Sequence, residues 1–135
     1  MLHRAFQFYA PSAGAPFADV GRNDYYAQAI STMRSLGIVN GMGENLFQPQ
    51  GVITRQDAIL MVQRALRTAG WGAGDGDKTI LSSYRDGSEV SSYALGSMAF
   101  AVQADLLPHD GTRLAPKTPL TRVDMAQILH RALTY

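Results

Sequence analysis

ITRQDAILMVQRAL (residues 53–66) returns as LTRVDMAQILHRAL (residues 120–133), and this pair decides the reading of the whole chain. Thr54, Arg55, Asp57, Arg64, Ala65 and Leu66 recur as Thr121, Arg122, Asp124, Arg131, Ala132 and Leu133, at a constant offset of 67 residues. The same offset carries Phe17, Asp19 and Tyr26 onto Tyr84, Asp86 and Tyr93, and Phe47 and Pro49 onto Leu114 and Pro116. A match threaded through a unit of about 50 residues marks an internal repeat, a supersecondary unit that buries its apolar face only against a neighbour. MLHRAF (1–6) also matches MVQRAL (61–66) and ILHRAL (128–133), so part of a third copy is present. The chain is expected to divide into the tail of a truncated repeat (1–9), a linker (10–16), a full repeat (17–68), a second linker (69–83) and a second full repeat (84–135).

Each full repeat reads as helix–loop–helix. In the first, Tyr26, Ile30 and Met33 fall on one face of a helix over about 24–36, with Asn23 or Asp24 to cap it and Gly37 to stop it. Gly37, Gly41, Gly43, Pro49 and Gly51 break the chain into turns. A second helix is predicted over about 55–68, with Ala58, Met61, Val62, Ala65 and Leu66 as its buried stripe. Arg55 lies off that stripe. Thr54 with Asp57, and Thr121 with Asp124, form capping boxes in which hydroxyl and carboxylate satisfy reciprocal backbone amides. The second repeat is less regular. Its first helix, about 92–104, contains Gly96, LLPHDG replaces IVNGMG, and the match over 98–107 is open to a one-residue shift. The fold class expected is mainly α, tandem helix–loop–helix repeats packed as part of a pseudo-threefold bundle. Trp71, in the second connector, is expected to pack across the junction between repeats.

Composition bounds the function. Of 135 residues, 46% are hydrophobic and 17% charged, which is the composition of a folded chain. The net charge of +1 supplies no basic field for nucleic acid or an anionic membrane. With no cysteine, disulfides, thiol catalysis and cysteine-ligated metals are excluded. No apolar run approaches the roughly 18 residues of a membrane span, and the first ten residues lack the run of about 7–15 that a secretory signal needs. An export signal is therefore expected upstream of Met1. His3, His109 and His130 share no ligand spacing, and DGDK (75–78) echoes a calcium loop without its later ligands. No nucleophile–base set, paired carboxylates or phosphate loop stands out, so neither enzymatic activity nor a cofactor is expected. Arg4, Arg64 and Arg131 sit where helix C-termini favour cations.

The ordered string F-x-D, Y, A-I, L-G-I-V-N-G, F-x-P, I-T-R-x-D resembles the S-layer homology family, strongly over 17–68 and moderately over 84–133. The resemblance implies a non-catalytic module at the cell surface that binds an anionic secondary cell-wall polysaccharide, often bearing a pyruvate ketal, and tethers a surface protein or S-layer to the envelope. It implies contacts from the arginine of the box, the opening aspartate, the first-helix aromatic and the glycine-rich turn. Carried over, these are Arg55 and Arg122, Asp19 and Asp86, Tyr26 and Tyr93, and Gly41 with Gly43. The boxes read Thr-Arg-Gln-Asp and Thr-Arg-Val-Asp rather than the family's Ala-Glu form, and the second repeat lacks the glycine-rich turn.

Physical chemistry gives each candidate a plain alternative. A guanidinium fork matches a ketal carboxylate, and Arg55 at the start of a helix stands beside amides and a dipole that also favour an anion. Tyr26 and Tyr93 offer a ring to a sugar or belong to the core; Asp19 and Asp86 face the ligand or pin a turn. The competing function is an assembly module, because an incomplete repeat invites homo-oligomerisation or repeat exchange.

Overall fold

The structure, a computed structural model, describes residues 1–8, 17–21, 23–41, 46–47, 51–107 and 111–134. It is mainly α-helical, in tandem helix–loop–helix repeats, and among the described residues there is no sheet. The chain forms two compact bodies, Leu2–Gly51 and Val52–Tyr135, the second including Met1. This division falls within the first full repeat, so its second helix folds with the repeat that follows.

In the smaller body, α1 (Leu2–Phe6) is short and α2 (Ala27–Ser35) begins later than expected. Neither Asn23 nor Asp24 caps α2; Tyr26 occupies the cap position without a side-chain bond. The Asp24 carboxylate instead accepts the Gly21 N–H at 2.8 Å, which holds the preceding turn and delays the helix. The end of α2 is as read. Gly37 adopts a left-handed φ of 73°, its N–H donates to Arg34 and the Ile38 N–H donates back to Met33. This is a Schellman closure, with Ile38 and Met33 both buried beneath it.

In the larger body, α3 (Arg55–Thr68) has the bounds its periodicity predicts, and Ala58, Ile59, Val62, Ala65 and Leu66 form its buried face. It too closes as a Schellman motif: Gly70 (φ 80°) donates to Arg67, and Trp71 to Leu66. The Trp71 side chain is 40% exposed. The expected linker beyond it is a packed strap. Gln63 donates to the Gly74 carbonyl at 3.1 Å, Arg67 Nε donates to Ala73, and the Gly76 N–H donates to Gly96. Asp77 then caps a 3-10 helix, Lys78–Ser83, which packs on α4.

The predicted helix over 92–104 is a 3-10 turn (Ser92–Ala94) followed by α4 (Leu95–Gln103). Gly96 is explained by what it faces: a Cβ there would collide with the Asp75 carboxylate of the strap. Its propensity cost of about 1 kcal/mol permits that close approach. Asp105, with φ 54°, takes the left-handed place after α4, donating to Val102 while Leu106 donates to Ala101. The helix end therefore matches that of α2 one residue later than the general offset. Arg131 of α5 (Arg122–Leu133) secures it, donating to both the carbonyl and the carboxylate of Asp105. α3 packs against α4 and α5.

One polar cluster lies inside this packing. Gln63, 1% exposed, accepts from Ser97 Oγ at 2.8 Å and donates to Gly74 and to Asp75 Oδ1. Replacing it by Ala strands the Ser97 hydroxyl and the strap carbonyl, so Gln63→Ala should cost about 1–3 kcal/mol. Urea unfolding followed by circular dichroism checks this.

Candidate functional site

The start of α3 is built against the loop that precedes α5. The Leu120 N–H donates to the Ile53 carbonyl at 2.8 Å, and Thr54 and Pro119 form an isolated antiparallel bridge. The Arg55 N–H donates to Thr118 at 3.0 Å and the Gln56 N–H to Pro116 at 2.8 Å. The Thr54 hydroxyl accepts the Asp57 N–H. The first three amides of α3 thus donate within the chain.

The Arg55 side chain follows its backbone. It is 7% exposed, its Nε donates to the Leu114 carbonyl at 3.1 Å and its Nη1 stands 3.7 Å from Asp124 Oδ2. Helical periodicity set Arg55 off the buried stripe because it sees only the helix's own contacts; the cover comes from a loop about 60 residues away. Arg122, its repeat equivalent, is exposed at the start of α5.

The same seam uses the other box residues differently. In α5 the capping box is complete, with Asp124 N–H donating to the Thr121 hydroxyl and the Asp124 carboxylate accepting from the Thr121 N–H. In α3 only the Thr54 half is formed as expected. The Asp57 carboxylate accepts the Tyr93 hydroxyl at 2.6 Å, crossing to the next repeat. This bond pushes the Tyr93 phenol above its ordinary 10, with desolvation adding to it. Gln56, which the sequence did not single out, donates to Ser91 Oγ at 2.9 Å and to the Tyr93 oxygen, and accepts the Ser91 N–H.

The two opening aspartates do one job in two bodies. Asp86 accepts the N–H groups of Leu114 and Ala115, each at 2.8 Å. Asp19 accepts the N–H of Phe47, the repeat equivalent of Leu114, also at 2.8 Å. Each carboxylate pins the loop ahead of the second helix. For Asp86, burial works to raise the pKa, but the Leu114 and Ala115 amides, with help from Arg113, hold it below the ordinary 3.8.

Arg55, Asp86 and Tyr93 therefore share one seam, joined through Leu114, Asp57 and Gln56. Asp19, Tyr26 and Gly41 belong to the other body. There Tyr26 is half-buried with Tyr25 edge-on against it, and Phe17 stacks on Phe47 beneath the Arg34 guanidinium. Gly41 has a left-handed φ of 80°, and a Cβ on it would press on the Leu46 carbonyl and the Phe17 ring, so a glycine is required for packing alone. Gly43 lies outside the described residues.

Beside the seam lies an open groove of about 410 Å³, lined by Asp86, Glu89, Arg113 and residues 115–119. Its lining carries charge of both signs, Arg113 and Lys117 opposite in sign to Asp86 and Glu89. Neither cation follows the repeat, and only their placement by the pinned loop draws attention to them. Among the described residues no group of three or more His, Cys, Asp or Glu is placed to hold a metal, and no helix is long and apolar enough to cross a membrane. The calcium-loop echo resolves into other work: Asp75 binds Gln63 and Arg67, and Asp77 caps its helix.

The S-layer homology domain model matches residues 16–59 and 83–126, more than half of the chain. The chain belongs to the S-layer homology family. It is 29% identical over 121 residues to a surface-layer 125 kDa protein of Lysinibacillus sphaericus, covering 87% of this chain and spanning 10% of that relative's length. Both S-layer homology matches run through a pinned loop into a Thr-Arg-x-Asp helix start, the two features the seam is built from. Family membership supports a general role in anchoring to the cell wall, an adhesive rather than catalytic character, and a place at the cell envelope.

Two outcomes follow. Arg55→Ala leaves the Leu114 carbonyl without its partner and removes the cation beside Asp124, and should cost about 2–4 kcal/mol, whereas Arg122→Ala should stay within about 0.5 kcal/mol; thermal unfolding of the two variants side by side decides between them. For Asp86 the folded pKa lies below the unfolded one. Its contribution is present above pH 3.8 and is lost as pH falls through the depressed folded value. Asp86→Asn should flatten this acid limb in unfolding measured from pH 6 down to about pH 2.

Proposed function

We propose that this chain anchors a surface protein or S-layer non-covalently to the cell wall, outside the cell, by binding an anionic secondary cell-wall polysaccharide whose acidic group is a pyruvate ketal. The observation that carries this reading is the contrast between the two box arginines. Arg55 is consumed by the seam, while Arg122 stands exposed at the start of a 12-residue helix. A helix start favours an anion, and a guanidinium offers a carboxylate two parallel charge-assisted bonds. Arg113 and Lys117 are cations of the adjacent groove, which Asp86 and Glu89 also line, and the exposed Tyr93 ring offers a face to a sugar.

In this reading Arg122 contacts the acidic sugar, with Arg113 and Lys117 as further cationic contacts. Arg55, Asp86 and Asp19 are positioning residues that hold the loops in shape, and Tyr93 both braces the seam and faces the glycan. The surface-layer relative supports the assignment of the module to a protein displayed at the envelope.

The test is co-sedimentation with purified cell-wall sacculi. Wild-type protein should pellet with intact walls and stay in solution when the secondary polymer is stripped or lacks pyruvate. Losing one charge-assisted bidentate contact is worth about 1.5–3 kcal/mol, so Arg122→Ala should weaken binding roughly 10- to 100-fold. Equal binding of wild type and Arg122→Ala overturns the arginine assignment, and equal binding to stripped walls overturns the polymer.

A further inference from the structure

An asparagine or aspartate side chain can close a five-membered ring onto the nitrogen of the next peptide, most easily where glycine follows and no side chain hinders the approach. The chain holds such pairs at Asn40–Gly41, Asp75–Gly76, Asp86–Gly87 and Asp110–Gly111, the last lying partly outside the described residues. Two of the aspartate pairs are locked at both ends of the reaction. Asp75 Oδ1 accepts from Gln63 at 3.1 Å and from Arg67 at 2.9 Å, and the Gly76 N–H donates to the Gly96 carbonyl. Asp86 accepts the Leu114 and Ala115 amides, and the Gly87 N–H donates to the Tyr84 carbonyl. Asn40 differs from both. It is exposed, outside any helix and just beyond the buried Ile38 and Val39, and among the described residues neither its side-chain amide nor the Gly41 N–H has a partner.

We propose that Asn40–Gly41 is a site of spontaneous deamidation, through which water slowly modifies the smaller body. The Gly41 nitrogen gives its proton to hydroxide and attacks the side-chain carbonyl carbon of Asn40. A C–N bond forms, the amide nitrogen leaves as ammonia, and a succinimide ring remains. Water opens the ring at either carbonyl. One opening leaves aspartate; the other leaves isoaspartate, in which the main chain runs through the former side-chain methylene. The second repeat has Leu107 and Pro108 at the equivalent positions, so the chemistry belongs to the first repeat alone.

The two products differ in consequence. Aspartate adds a charge at an exposed position and keeps the backbone. Isoaspartate adds an atom to the main chain immediately before Gly41. Gly41 stands so close to the Leu46 carbonyl and the Phe17 ring that a Cβ alone would press on both, so the longer chain must displace them. Phe17 stacks on Phe47, whose N–H is the one that Asp19 holds. The isoaspartyl form therefore loosens the pinned loop of the smaller body. The chemistry is independent of what the module binds.

The whole protein, folded or unfolded in guanidinium, is incubated at neutral and mildly alkaline pH and then digested with trypsin. Tandem mass spectrometry of the peptide spanning 35–55 distinguishes Asn40 from Asn45, and an isoaspartyl methyltransferase counts isoaspartate. In the folded protein Asn40 should convert at a rate close to that of the unfolded chain, rising in proportion to hydroxide. Isoaspartate at Asp75 and Asp86 should form roughly tenfold or more slowly in the folded than in the unfolded protein, because their hydrogen bonds must first break. Asn40→Gln, whose side chain closes a less favoured six-membered ring, should stay intact. The separated isoaspartyl form should melt below Asn40→Asp, which carries the charge without the extra main-chain atom. An Asn40 that survives in the folded protein while the unfolded chain reacts overturns the site. Isoaspartate at Asp75 or Asp86 in the folded protein at the unfolded rate overturns the basis for singling Asn40 out. An isoaspartyl form that melts together with Asn40→Asp overturns the loosening of the loop.

Discussion

The peptide of Leu114 is gripped from both sides, and the larger body depends on that grip. Its N–H is held by the Asp86 carboxylate and its carbonyl by the Arg55 guanidinium. A loop so clamped can present the carbonyls of Pro116 and Thr118 to the first amides of α3, which otherwise need solvent or an anion. The helix start, the loop and the opening aspartate are therefore one unit, drawn from two sequence repeats. In the smaller body the amide half of the grip recurs between Asp19 and Phe47. The recurrence identifies the aspartates as loop anchors more firmly than either contact alone would.

Much of this architecture was legible in the sequence. The bounds of α3, the closure of α2 at Gly37, the complete box at Thr121 and Asp124, and the slip in register before Leu107 all depend on short-range chemistry that a sequence displays. Three features were not legible, for a common reason. Arg55 is buried by a loop distant in sequence, Asp57 abandons its own helix start for a tyrosine of the next repeat, and Asp24 turns back to Gly21 instead of capping α2. Periodicity and capping rules rank the local options of each group; a distant loop decides for Arg55, the next repeat for Asp57, and the adjoining turn, another local option, for Asp24.

The contact between α3 and α4 shows how such competition is met. A carboxylate, an amide, a hydroxyl and two glycines sit where an aliphatic core would be the simpler solution. Gly96 gives up helix propensity so that Asp75 can approach, and Gln63 links that strap to Ser97. Apolar contacts between two short helices are indifferent to a slide along the axis. Directional bonds at Gln56 and Gln63, two turns apart, are not. They fix the register between repeats, while Ile59, Val62 and Leu66, worth about 1.5–3 kcal/mol each when buried, supply the bulk of the attraction.

That division explains how one motif serves two ends. At the start of α3, Thr-Arg-Gln-Asp is spent on joining repeats: threonine caps, arginine clamps the loop, glutamine and aspartate hold the next helix opening. At the start of α5, Thr-Arg-Val-Asp caps completely and leaves its arginine outward. The difference turns on whether a loop from another repeat arrives to satisfy the helix amides. Where it does, the arginine is drawn in to neutralise Asp124 and loses its fork to the protein. Where it does not, as at α5, the guanidinium is exposed beside the helix start, and on the function proposed above it is the group that meets the acidic sugar.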